Sequence, residues 1–169
     1  MRTCSRWLRS AFGAVDRGPV HTLPILYDAD CGFCRWSLAK VLAWDRARRL
    51  RPVAIQDPEA GGLIASVPVE RRLTSWHLVL PDGRVCSGGA AFAPLLRLLP
   101  GGRLLAPLPA SLPGLAERAY RLVADNRTPL GRLVPAAGAA RAAQQIAERA
   151  GHSRPSAPGS SCGVRLANR

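Results

Sequence analysis

The sequence predicts an α/β fold: a mixed sheet between helices in three layers, with extra helices towards the C-terminus. Three observations carry this. An apolar run, Leu23-Pro24-Ile25-Leu26-Tyr27, leads into Cys31-Gly32-Phe33-Cys34 and then into a helical pattern. A second β-prone run, Arg51 to Gln56, follows that helix and completes a β-α-β unit. Asp82-Gly83 then separates two short strand-like stretches, the signature of an antiparallel hairpin.

The elements follow in chain order. Residues 1–22 carry scattered arginines without a sustained period and read as a flexible basic extension. The first strand, Leu23 to Asp28, is a near-continuous apolar run of the kind a central buried strand shows. Helix one, Cys31 to Trp44, places Cys34, Leu38, Val41 and Leu42 on one face at i, i+4, i+7 and i+8, which predicts a shielded Cys34 and a more accessible Cys31. After the second strand comes a weak helix or irregular segment, Pro58 to Ser66, interrupted by Gly61-Gly62. The hairpin spans Ser75 to Cys86 and supplies an antiparallel edge. Ala90 to Leu99 is apolar enough for a buried helix, with Pro94 in or near its first turn. From Leu115 to Arg127 the pattern is amphipathic, with Leu115, Ala119, Leu122 and Val123 as the expected core face. An alanine-rich helix over 135–150 has little apolar surface to bury, and 151–169, rich in Ser, Pro, Gly and Arg, reads as a disordered tail. This order is the thioredoxin-like plan, placed over residues 23–134.

The chain has 169 residues and a formal net charge of +13, almost all of the positive charge being arginine, with Lys40 the only lysine. Such a charge attracts acidic partners, nucleic acid or anionic membranes in a salt-sensitive way. The clusters Arg46-Ala47-Arg48-Arg49-Leu50-Arg51 and Arg71-Arg72 lack any accompanying nucleic-acid motif, so specific nucleic-acid binding is not expected. Arg97, Pro100 and Arg103 break up the leucine-rich region, so no transmembrane segment is predicted, and no signal-peptide core follows the basic N-terminus. The expected compartment is the cytoplasm. There, five cysteines point away from a structural disulfide framework and towards chemical use of the close pair.

The chemistry sits at the turn. A thiol at a helix N-terminus meets unpaired backbone N–H groups and the positive end of the macrodipole, and both favour the thiolate. A second cysteine three residues on is about one helical turn away, within reach of the first sulfur to resolve a mixed disulfide. Zinc would need four ligands, and Cys4, His77, Cys86 and Cys162 stand alone, so neither a metal nor a cofactor is expected.

Tyr27-Asp28-Ala29-Asp30-Cys31-Gly32-Phe33-Cys34 resembles the Tyr-Asp-Gly-x-Cys-x-x-Cys signature of the DCC family of thiol-disulfide oxidoreductase-like proteins. Pro81-Asp82-Gly83, Ser87-Gly88-Gly89-Ala90-Ala91 and Tyr120 to Arg127 are also similar to blocks of that family, over residues 24–134. The resemblance implies a thioredoxin-like fold and dithiol chemistry. Ala29 replaces a usual glycine, and Gly89 stands where an acidic helix cap is common. Thioredoxins carry a cis-proline before the third strand, whereas here Thr74 or Ser75 takes that place.

The candidate catalytic residues are Cys31 as attacking nucleophile and Cys34 as resolving thiol, with Asp28 and Asp30 as either proton acceptors or turn and cap residues. His77 reads as a packed or exposed strand residue, Cys86 as a small apolar residue of the hairpin, Tyr120 as packed on the core and Arg127 as an arginine at a helix C-terminus. The expected function is thiol-disulfide exchange on a disulfide-containing protein or small molecule, with the partner reductant or oxidant unspecified. The alternative is a non-catalytic module of the same fold that holds an acidic or membrane partner on its arginine face.

Overall fold

A computed structural model of the chain describes residues 22–152. The expected basic extension and disordered tail lie essentially outside that range. Four strands, β1 (Leu23–Tyr27), β2 (Leu50–Ala54), β3 (His77–Val79) and β4 (Val85–Ser87), form one sheet in the order β2-β1-β3-β4. β1 runs parallel to β2 and antiparallel to β3, and β4 closes the antiparallel edge. The hairpin turn places Gly83 at φ 79°, which explains the Asp82-Gly83 pair, because a residue with a Cβ rarely adopts that backbone.

Alternation along the strands builds two cores. Leu23 and Ile25 of β1, with Leu78 of β3 and Cys86 of β4, point to one face. There they meet Leu38 and Leu42 of α1 (Gly32–Trp44), Leu95 of α4 (Phe92–Leu98) and Ile146 of α8 (Ala136–His152). Leu26, Val53 and Val79 point to the other face, where α2 (Ala60–Leu63) and the residue after it supply Ala60 and Ile64. The result is helix, sheet and a thin second helical layer, with the central strand β1 buried on both faces as its apolar run predicts. Each fully buried Leu or Ile side chain contributes about 1.5–3 kcal/mol relative to exposure.

Several short elements escape the sequence pattern: α3 (Val69–Arg72), α5 (Pro107–Ser111), α7 (Arg127–Arg132) and two 3₁₀ turns, Gly88–Ala91 and Gly102–Leu104. The alanine-rich α8 packs along α1 and β2. Its small side chains permit close approach, Ala142 and Ile146 are buried, and Arg149 reaches the buried Asp45.

The helix α6 (Pro113–Asp125) corrects the expected core face. Leu115 is 62% and Leu122 69% exposed, so the two leucines face outward, and only Ala119 and Val123 of that face line a cavity beside α1. The opposite side, with Glu117 and Tyr120, makes the contacts. Gly88 and Gly89 are the cause. A Cβ on Gly89 would stand 2.6 Å from Cα and N of Glu117, so the missing side chain lets the two backbones touch. Glu117 Oε2 then accepts the Gly89 N–H at 3.0 Å, supplying from α6 the carboxylate expected at position 89 itself. Gly89→Ala is therefore expected to lower stability by about 1–3 kcal/mol through overpacking. Gly114→Ala on the same helix, where a Cβ meets nothing within 4 Å, should change stability by less than about 1 kcal/mol. Chemical denaturation of the two variants checks the contrast.

Candidate active site

The site begins with the end of β1. Tyr27 leads into the turn Asp28-Ala29-Asp30, after which the first α1 hydrogen bonds form: the Arg35 N–H donates to the Cys31 carbonyl at 3.1 Å. Cys31 is thus the N-cap, in extended conformation at φ −86° and ψ 109°, and its Sγ accepts the Cys34 N–H at 3.2 Å. The expected cap, Asp30, lies one position too early. Its exposed carboxylate instead accepts from Gln56 Nε2 at 3.2 Å. Gln56 also donates to Asp28 Oδ1 at 2.8 Å, and that oxygen takes the Asp30 N–H at 3.0 Å, an Asx turn that fixes the loop before the thiols.

Cys31 and Cys34 are joined as a disulfide, with Cα atoms 5.2 Å apart, within the span that a disulfide bridges. Both residues are half-buried. Cys34 is not sealed in the core as the helical face suggests. Leu38 and Leu42 lie in the core, but Cys34, one turn higher, opens onto a cavity of about 360 Å³ together with Phe33, Trp76, Phe92, Tyr120 and Val123. Asp28, half-buried, shares that cavity, whereas Asp30 does not line it.

The segment before β3 forms the opposite wall. Ser75 faces the cavity, and Thr74 turns back to donate its hydroxyl to the Arg71 carbonyl at 2.8 Å. The Trp76 N–H donates to the Tyr120 hydroxyl at 3.3 Å, and Arg127 Nη1 donates to the Leu73 carbonyl at 2.9 Å. Burial is the main reason why the Tyr120 phenol titrates above its usual range, so it stays neutral. Tyr27 is pushed up likewise, first by burial and then by Asp57. Phe92 packs against Trp76 and Tyr120 at ring separations of 5.8 and 6.1 Å. Tyr120 and Arg127 do more than pack: they fasten α6 and α7 to the loop opposite the thiols. Sequence spacing alone gives no sign of contacts across 44 and 54 positions.

His77 is fully buried. Its Nε2 lies 2.9 Å from the Arg72 carbonyl, which only accepts, so that nitrogen carries the proton and Nδ1 accepts from the Ser87 hydroxyl at 2.7 Å. Burial pushes its pKa below 6.5; the Arg72 carbonyl pulls upward and the Arg72 charge adds to the lowering. A depressed histidine binds its proton in the unfolded chain first. Stability should therefore fall as pH drops below about 6.5 and be fully present above it. In His77→Gln, which keeps one donor and one acceptor but does not titrate, the pH dependence of unfolding free energy between about pH 5 and 7 should flatten. Among the described residues no cluster of three or more His, Cys, Asp or Glu could hold a metal ion, and no helix is long and apolar enough to cross a membrane.

A strand, a dithiol at a helix N-cap and an antiparallel hairpin beside it define an α/β thioredoxin-like protein with a CxxC site. Residues 25–133 match the DCC1-like thiol-disulfide oxidoreductase family, and the chain belongs to that family. Neither a curated protein nor a solved structure matches it.

Proposed function

We propose that the protein is a thiol-disulfide oxidoreductase in which Cys31 attacks and Cys34 resolves. The observation that carries this is the Cys31–Cys34 bond at the N-cap of α1, where Cys31 Sγ already accepts a main-chain N–H. In the reduced protein the same N–H and the helix dipole stabilise a thiolate at Cys31. That thiolate displaces one sulfur of a substrate disulfide, forming a mixed disulfide and releasing a thiol. Cys34 then attacks the Cys31 sulfur, the second thiol leaves, and two electrons have passed from protein to substrate. In this reading Asp28, which lines the same cavity as Cys34, accepts the resolving proton. Asp30, exposed beside Cys31, opposes the thiolate by charge.

The test is a redox titration. Full-length protein equilibrated in glutathione buffers and quenched by alkylation should show reversible, two-electron interconversion of Cys31 and Cys34 with a single reduction potential. A pair that stays reduced, or stays oxidised, across the whole accessible range would refute the reading.

A further inference from the structure

The cavity beside the dithiol carries information about the substrate. Its volume, about 360 Å³, falls in the range of about 300–1,000 Å³ typical of small-molecule sites. The wall is mostly carbon, and most of the polar groups that reach it already hold a partner. Ser37 Oγ donates to the Cys34 carbonyl at 3.0 Å, Tyr120 takes the Trp76 N–H, Arg127 holds the Leu73 carbonyl, and Asp28 is held by Gln56. An occupant is recognised there by the apolar surface it buries rather than by hydrogen bonds.

The same bonds leave an extended peptide little main chain to pair with beyond the Thr74 carbonyl and Ser75. A peptide docking next to the thiols would pair with the main chain that enters β3, as an added strand does. Between Arg72 and Trp76, three of those main-chain groups are closed by side chains: the Arg72 carbonyl by His77, the Leu73 carbonyl by Arg127 and the Trp76 N–H by Tyr120. Two of the three plugs come from α6 and the start of α7, the elements that also wall the cavity.

We infer that the substrate is a low-molecular-weight disulfide with apolar substituents, one of which lodges in the cavity between α1, the β3 approach and α6 with its sulfur at the Cys34 end. This rests on the dithiol reading above and names its substrate class. The Cys31 thiolate attacks one sulfur of R–S–S–R, the S–S bond breaks, and R–S⁻ departs and takes a proton from water. The Cys34 thiolate then displaces the second R–S⁻. The reduced protein is the stoichiometric reductant and ends as the Cys31–Cys34 disulfide.

Single-turnover oxidation of the pre-reduced full chain by dibutyl disulfide and by bis(2-hydroxyethyl) disulfide tests this, each rate divided by the rate with dithiothreitol to remove intrinsic reactivity. One buried methylene is worth about fourfold in binding, so the normalised preference for the dibutyl compound should be about tenfold or more. Ala124→Phe, which fills the cavity wall, should bring the ratio towards one. Should that variant fail to fold, butylbenzene added to the unaltered chain as an unreactive competitor should have the same effect. A ratio near one in the unaltered chain, or faster reduction of a disulfide-linked peptide than of dibutyl disulfide, overturns the substrate assignment while leaving the dithiol reading intact. Oxidation by none of the disulfides overturns the dithiol reading itself and the assignment with it.

Discussion

Asp45→Ala should lower the unfolding free energy by about 3–5 kcal/mol, the range measured when one partner of a buried ion pair is removed. Asp45 is fully buried and holds three parts of the fold at once. Its Oδ1 accepts the Arg49 N–H at 3.1 Å, and its Oδ2 accepts the Leu50 N–H at 2.9 Å and Arg149 Nη1 at 3.0 Å. Arg149 Nη2 in turn donates to the carbonyls of Leu42 and Asp45 at 2.7 Å. One carboxylate thus ends α1, starts β2 and docks α8. Replacing it by a methyl removes the charge facing a guanidinium whose side chain is only 11% exposed and strips the partner from a buried main-chain N–H, itself worth about 1–3 kcal/mol. Asp45→Asn keeps the volume but sets an amide NH₂ against donors, so it should recover little of the loss. Urea unfolding of Asp45→Ala, Arg149→Ala and the double variant separates the pair from the main-chain bonds, with a coupling of about 0.5–3 kcal/mol expected. A loss below about 1 kcal/mol for Asp45→Ala, the size of an exposed pair, would mean that α8 is held by its apolar contacts alone.

Local signals were legible in the sequence, and long-range ones were not. The apolar run of β1, the spacing of the two cysteines and the Asp82-Gly83 turn each act within a few residues, and all three elements form where the pattern places them. The N-cap differs by one residue because aspartate's capping preference competes with the register of the first helical hydrogen bond, which starts at the Cys31 carbonyl. The α6 stripe fails for a different reason. Periodicity says which residues share a face, and Leu115 and Leu122 do share one, but the face that packs is selected by the close approach of Gly89 to the α6 backbone. Likewise, nothing near Arg149 hints at a carboxylate 104 positions away. The cavity at Cys34 depends on all of these contacts together, so a reading of α1 alone sees only a thiol on the core-facing stripe.

Cys34→Ser should accumulate a stable mixed disulfide on Cys31, about one adduct per chain, whereas Cys31→Ser should form none at Cys34 and lose exchange altogether. The asymmetry follows from the two sulfurs' surroundings. Cys31 Sγ sits at the N-cap and accepts the Cys34 N–H, so the helix start stabilises negative charge on that sulfur. Cys34 lies within the first turn and faces carbon in the cavity, where an ion gains little. A serine at position 31 keeps the cap hydrogen bond, so the helix stays formed, but its hydroxyl does not ionise at neutral pH and cannot attack a disulfide. A serine at 34 leaves the attacker intact and removes only the group that frees it. Reduced protein, treated briefly with bis(2-hydroxyethyl) disulfide and quenched with acid, can be digested and the adduct located by mass on the peptide bearing position 31 or 34. Equal adduct in both single variants would show that the cavity-facing sulfur is as nucleophilic as the capped one, and the N-cap would then contribute nothing to the choice of attacker.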